Sequence, residues 1–158
     1  MATSNAATSF LENRLLSFIF KNNAASFSSP GDSIYVGLAT AVSNFDDSTG
    51  ESGTPAITEA DFTSYQRVQV AAANWTLTAD TANQQTCTNT NNIDFAASGG
   101  GGTDVITHVF ITTAASASLD TLGSGGNVLF IGALDASKSI ATGDIFRINA
   151  TNLTIELK

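Results

Sequence analysis

The chain has one cysteine, one histidine and few basic residues, and each scarcity closes off a class of function. Cys87 alone can form neither an internal disulfide nor a multi-cysteine metal cluster. It lies in a segment rich in Thr, Asn and Gln and reads as a partly buried, inert thiol. The 6 Lys and Arg stand against 14 Asp and Glu, a formal net charge of −8 with a pI near 4.2. Phosphate backbones and anionic membranes would be repelled, so no nucleic-acid or membrane partner is expected. There is no run of about 20 apolar residues and no positively charged leader before an apolar stretch, which argues against a membrane span or a secretory signal. Synthesis in a cytoplasm is the default. Charged residues make up only 13% of the chain, and Thr, Ser, Asn and Ala fill the polar positions. A surface solubilised by hydroxyls and amides suits strands and extended loops better than a helical bundle.

The chemistry-bearing motifs are missing as well. Catalysis by a Ser–His or Cys–His pair would have to use His108, which sits inside a strand pattern between apolar residues and reads as structural. No Gly-x-Ser-x-Gly elbow is present. One His and one Cys make no usual zinc site without carboxylates recruited from distant loops. Glycoside hydrolysis needs two carboxyl groups, but spacing singles out no pair among the 14 acids. The consecutive glycines Gly99 to Gly102 lack the spacing and the Lys of a phosphate loop and read as a flexible connection. No catalytic, metal-binding or cofactor-binding residue emerges, and no cofactor is expected.

What is present is a pattern of strands behind one helix. At 158 residues a single domain is expected, with about 70% of the unfolded surface buried on folding. Residues 1–8 are small and polar, a flexible arm unless a neighbour pins them. The domain then runs over 9–158. Ser9-Phe10-Leu11-Glu12 has capping-box spacing and predicts a helix over about 9–22, stopped by Asn22-Asn23. Leu11, Leu15, Phe18 and Ile19 form its apolar stripe, widened by Leu16 and Phe20. A helix of about three turns must pack on something to persist. Docking on its own domain and packing across a subunit interface are both open; for the second, Phe10, Leu11, Leu15, Phe18 and Ile19 are the candidate interface residues.

Beyond a turn at Pro30-Gly31-Asp32 the period changes to two: Ile34, Val36 and Leu38 alternate with Tyr35, Gly37 and Ala39. Residues 41–62 form a long acidic connection with Asp46, Asp47, Glu51, Glu59 and Asp61, expected to be a solvated loop because the ordered spacing of a calcium loop is absent. Further strands are predicted over 65–70, 74–78, 93–95, 105–112, 138–140, 144–148 and 153–158. In 65–70, Tyr65, Arg67 and Gln69 alternate against Gln66, Val68 and Val70; in 105–112, Val105, Val109 and Ile111 oppose Ile106, His108 and Phe110. Residues 79–92 show no clear period. The densest apolar run of the second half, Asn127 to Leu134, lies between Gly-rich residues and Asp135 and reads as a strand buried on both faces, with 105–112 as its central partner. One helix and about eight strands without a repeating βα unit predict a mainly β fold, an antiparallel β-sandwich or jelly-roll-like domain with one N-terminal helix.

Taken in order, several segments resemble a family of small structural proteins of tailed bacteriophages, often described as tail-fibre-like. The matching pieces are Phe10 to Leu16, Tyr35 to Thr40, Tyr65 to Val68, Ile106 to Val109, Gly126 to Leu134, and Thr142-Gly143-Asp144 through Leu153-Thr154-Ile155. The chain departs from the family in the long connection Ala114 to Gly126 and in an enlarged acidic loop, where partner contacts usually differ. The resemblance implies a non-enzymatic virion component whose partners are other virion proteins, either the major capsid protein or tail proteins. A fibre usually carries a repetitive shaft or a separate tip, which a compact domain with an arm lacks. The expectation is therefore an oligomeric decoration or cement protein on the capsid, with arm and helix reaching onto a neighbour. A tail or tail-fibre component is the alternative, and a small carbohydrate-binding or carbohydrate-active sandwich the remote one.

Overall fold

The computed structural model describes residues 5–7, 11, 15–16, 19–21, 34–43, 56–79, 85–101, 104–116, 119–120 and 126–156. The strands, in chain order, are β1 (Asn5–Ala7), β2 (Tyr35–Ser43), β3 (Ala56–Glu59), β4 (Val68–Gln69), β5 (Trp75–Ala79), β6 (Gln85–Asn89) and β7 (Ile93–Asp94). They continue with β8 (Asp104–Thr112), β9 (Leu119–Asp120), β10 (Gly126–Ile140), β11 (Arg147–Ile148) and β12 (Thr154–Glu156). A 7-stranded sheet has the order β1-β10-β8-β2-β3, with β4 also on β2 and β9 also on β10. The pair β11-β7 and the three strands β12-β6-β5 make two smaller sheets. All pairings are antiparallel except β9 with β10. The fold is antiparallel and sandwich-like, with a short helix at residues 11, 15–16 and 19–21, and it is not a closed barrel.

Alternation in β2 decides where the core lies. Val36 and Leu38 point into the main cluster, where Ile106 and Val109 of β8 and Ile140 of β10 meet Ile93 of β7, Ile148 of β11, Phe95 and Phe146. The small sheets thus supply the second layer. Aromatic rings bridge the layers: Phe62 meets Tyr65 edge-on at 5.3 Å between centroids, Tyr65 stacks on Phe95 at 6.1 Å, and Phe95 meets Phe146 edge-on at 5.8 Å. Such contacts add about 0.5–1.5 kcal/mol each beyond area burial. On the opposite face of the large sheet, Ala39, Phe110, Val128 and Ile131 form a second cluster. Gly37 is Phe110's cross-strand partner, and a Cβ placed there would stand 2.1 Å from Phe110 Cζ, so the ring occupies the space a side chain would need.

β8 lies between β10 and β2, the expected central partner of the apolar run. The run itself belongs to a longer strand than the sequence predicts. β10 continues through Asp135 because Leu134 to Ser137 stand opposite Thr107 alone, between the pairs Ala133–His108 and Lys138–Ile106. This bulge places Asp135 in solvent and returns Ile140 to the core, so the separate strand predicted at 138–140 is the end of β10. A second irregularity at Leu129 brings Val128 and Ile131 into one cluster although they are three residues apart. Burial is complete at those two positions and partial at Leu129, Phe130 and Leu134. In β8 the simple alternation also slips: Ile106 and Val109 share the main core, while Val105 is 44% exposed.

Other expectations shift for local reasons. The strand predicted over 65–70 is reduced to Val68–Gln69, because Ser64 (φ +79°) turns the chain and Tyr65 N–H donates to Phe62 O at 2.9 Å. The strand over 144–148 shortens to Arg147–Ile148. Within the segment that shows no period lies β6, whose Cys87 pairs with Leu77 on one side and Ile155 on the other. At its end the fully buried Asn89 gives its amide protons to Asn91 O and Asn149 O and accepts from Leu153 N–H, tying β6 to the approach of β12. The glycine-rich connection is pinned rather than loose: Gly99 N–H donates to Thr63 O, Thr63 N–H to Gly100 O, and Ser98 N–H to Asp144 O. Gly100 and Gly101 hold φ near +105° there, a conformation that costs glycine little. The Ser9–Glu12 cap, the Asn22-Asn23 stop, the Pro30–Asp32 turn and the loop acids Asp46, Asp47 and Glu51 lie outside the described residues.

Candidate functional surfaces

Of the candidate interface residues, Leu11 and Leu15 are helical and half-buried, and Ile19 is helical and 57% exposed; Phe10 and Phe18 lie outside the described residues. Leu16 and Phe20, read as widening the stripe, are 54% and 77% exposed. The spacing of Leu16, Ile19 and Phe20 places them on one side of the helix, so its second half presents large apolar side chains to solvent.

A second surface, which sequence reasoning did not identify, lies where β2, β3 and β4 approach the end of β8. Glu59 ends β3, and the turn at Ser64 swings Tyr65 and Arg67 back toward it. Arg67 forms a two-pronged ion pair with Glu59, Nε to Oε1 at 2.8 Å and Nη2 to Oε2 at 2.7 Å, and Nη1 donates to Ala114 O at 2.7 Å. Its side chain is 4% exposed against 25% for Glu59, and its guanidinium carbon lies 5.6 Å from the centroid of the Phe110 ring. Tyr65 hydroxyl donates to Glu59 Oε1 at 2.8 Å and accepts Leu38 N–H at 2.9 Å. Burial, the largest cause, pushes the phenol far above its ordinary range, and the adjacent carboxylate adds to the effect. The signal in the sequence was the alternation Tyr65, Arg67, Gln69 beside apolar neighbours; the partner Glu59 was hidden in a segment read as solvated loop.

This network forms one wall of an open cleft of about 760 Å³, whose rim carries Tyr35, Asp61, Gln66 and Ser116. Tyr35 pairs across the sheet with Gln69, which also lines the cleft.

His108 is half-buried within β8, and its ring contacts the neighbouring Thr107 side chain. The Thr107 hydroxyl lies 2.9 Å from Thr40 O, to which it can donate, and 2.8 Å from His108 Nδ1, a contact whose direction is set by the imidazole tautomer. Burial lowers the imidazole pKa. Among the described residues, no group of three or more His, Cys, Asp and Glu could hold a metal ion, and no helix is long and apolar enough to cross a membrane.

A layered antiparallel β core, with an exposed apolar helix face and an open cleft beside a buried ion pair, defines a sandwich-like β-protein. The sequence profile of the family described as Podophage GP4 fiber I protein gp80 matches residues 6–156. The chain belongs to that family of phage fibre-like virion structural proteins. No curated protein matches it.

Proposed function

We propose that the chain is a structural component of a phage fibre, acting through protein–protein contacts rather than catalysis. The observation that carries this reading is the family match, which covers 6–156 and so takes in both the β core and the helix. In this reading the single β domain over 9–158 carries the contact surfaces. Its helix, with Leu11, Leu15 and Ile19 together with Phe10 and Phe18, is the seat for another virion protein or for further copies of the same chain in a homo-oligomer. The exposed Leu16, Ile19 and Phe20 support that role, since large apolar side chains clustered at a surface commonly mark an interaction site.

Decoration of the capsid surface is the second reading, favoured by the absence of any shaft-like repeat within these 158 residues. Antibody-gold labelling of intact particles separates the two. Labels at the tail or its fibres are expected; even labelling over the head would overturn the fibre reading and establish decoration.

A further inference from the structure

The cleft beside the Arg67 network has two kinds of polar group. On the wall, Arg67, Glu59 and Tyr65 hydrogen-bond one another and the backbone. On the rim, the Tyr35 hydroxyl, the Asp61 carboxylate and the Gln66 amide have no hydrogen-bond partner among the described residues. The wall is therefore preorganised, and the rim is free to bind. We propose that this cleft is a binding site for a neutral saccharide, a function distinct from the contacts that build the particle.

The chemistry narrows the ligand class. An anion would need a free cationic fork, and the Arg67 fork is filled by Glu59, while Asp61 leaves the cleft with an uncompensated negative charge among its lining groups. A purely apolar ligand would strand the rim groups without water or partner, a penalty of the kind that rejects ligands from polar sites. A neutral saccharide meets both demands. Its vicinal hydroxyls match the paired donors and acceptors of a Gln amide and an Asp carboxylate, and its C–H face can lie on the half-buried Tyr35 ring or against Ala60 and Ala115. The volume falls within the usual range for small-molecule sites, about 300–1,000 Å³.

The test uses the full chain and saturation-transfer NMR with glucose, galactose, rhamnose and N-acetylglucosamine and their disaccharides, each at about 10 mM, where a ligand with millimolar affinity is well populated. N-acetylneuraminic acid, inorganic phosphate and a neutral tripeptide are included as competing chemistries. Transfer to at least one neutral sugar is expected, weakened about tenfold in Gln66→Ala and in Tyr35→Ala. Gln66 and Asp61 are exposed, so Gln66→Ala and Asp61→Asn should keep the fold, and unchanged Trp75 emission and thermal unfolding verify that each variant is intact. Absence of transfer to every neutral sugar, transfer unchanged in Gln66→Ala and Asp61→Asn, or stronger binding of an anion or the peptide would each overturn the proposal. Particle labelling is indifferent to this result, so the saccharide site and the fibre reading can fail separately.

Discussion

Replacing Glu59 by Ala tests whether the Arg67 network holds the second face of the large sheet. The substitution leaves a guanidinium whose side chain is 4% exposed without its carboxylate and takes the acceptor from the Tyr65 hydroxyl. Breaking a buried pair by removing one partner costs about 3–5 kcal/mol. Here Glu59 is 25% exposed, and Arg67 keeps Ala114 O and the Phe110 ring, so the loss belongs at the low end, about 3 kcal/mol. For a chain of this size that corresponds to a fall in Tm of roughly 6–12 °C. The only tryptophan, Trp75, is half-buried against the main core and reports unfolding by fluorescence in urea. The double variant Glu59→Leu/Arg67→Met removes both charges and is expected to recover most of the loss. A Glu59→Ala variant within about 1 kcal/mol of the parent, the range of an exposed pair, would refute the reasoning. So would a double variant as unstable as the single one.

Further expectations test other parts of the fold. Gly37→Ala forces a methyl into the Phe110 ring and should cost about 3 kcal/mol, partly recovered by adding Phe110→Leu; equal urea midpoints for parent and Gly37→Ala would sink this account. The folded chain holds the Tyr65 proton more tightly than the unfolded chain does, so stability contributed below the ordinary tyrosine pKa, about 10, is lost above it by up to about 1.4 kcal/mol per pH unit. Tyr65→Phe should therefore flatten the alkaline limb of a stability–pH curve; parallel limbs would contradict it. Thr151 is a β-branched residue at φ +66°, and Thr151→Asn, better suited to that conformation, should raise the unfolding midpoint by the equivalent of about 0.5–1 kcal/mol. Ile19→Asp with Phe20→Asp should leave the melting temperature within a degree or two of the parent, about the effect of an ordinary surface change, yet abolish incorporation into particles; normal incorporation would remove the helix from the interface.

The parts of the fold legible in the sequence are those set by neighbours along the chain. Val36 and Leu38 could be placed inside because a strand's period of two is a local property, and Ile106 to Ile111 read as a strand for the same reason. The end of β10 could not be found that way. Asp135-Ala136-Ser137 looks like a turn, and only pairing of Lys138 and Ile140 with β8 makes it a bulge. Likewise Arg67 stood in a recognisable alternation, but its meaning depends on Glu59, eight positions earlier and across a turn, and on Ala114, 47 positions later.

That distinction governs function as well. The apolar helix could be singled out from spacing alone, whereas the cleft draws Tyr35, Asp61, Gln66 and Ser116 from separate segments and exists only once the sheet has closed around them. The two surfaces also have different relations to the core. Charging Ile19 and Phe20 touches exposed side chains, but losing Glu59 disturbs the cleft wall and the Phe110 contact together. Variants that alter ligand preference should therefore be tolerated at the rim positions Asp61, Gln66 and Ser116, while Glu59, Tyr65 and Arg67 are held in place by stability itself.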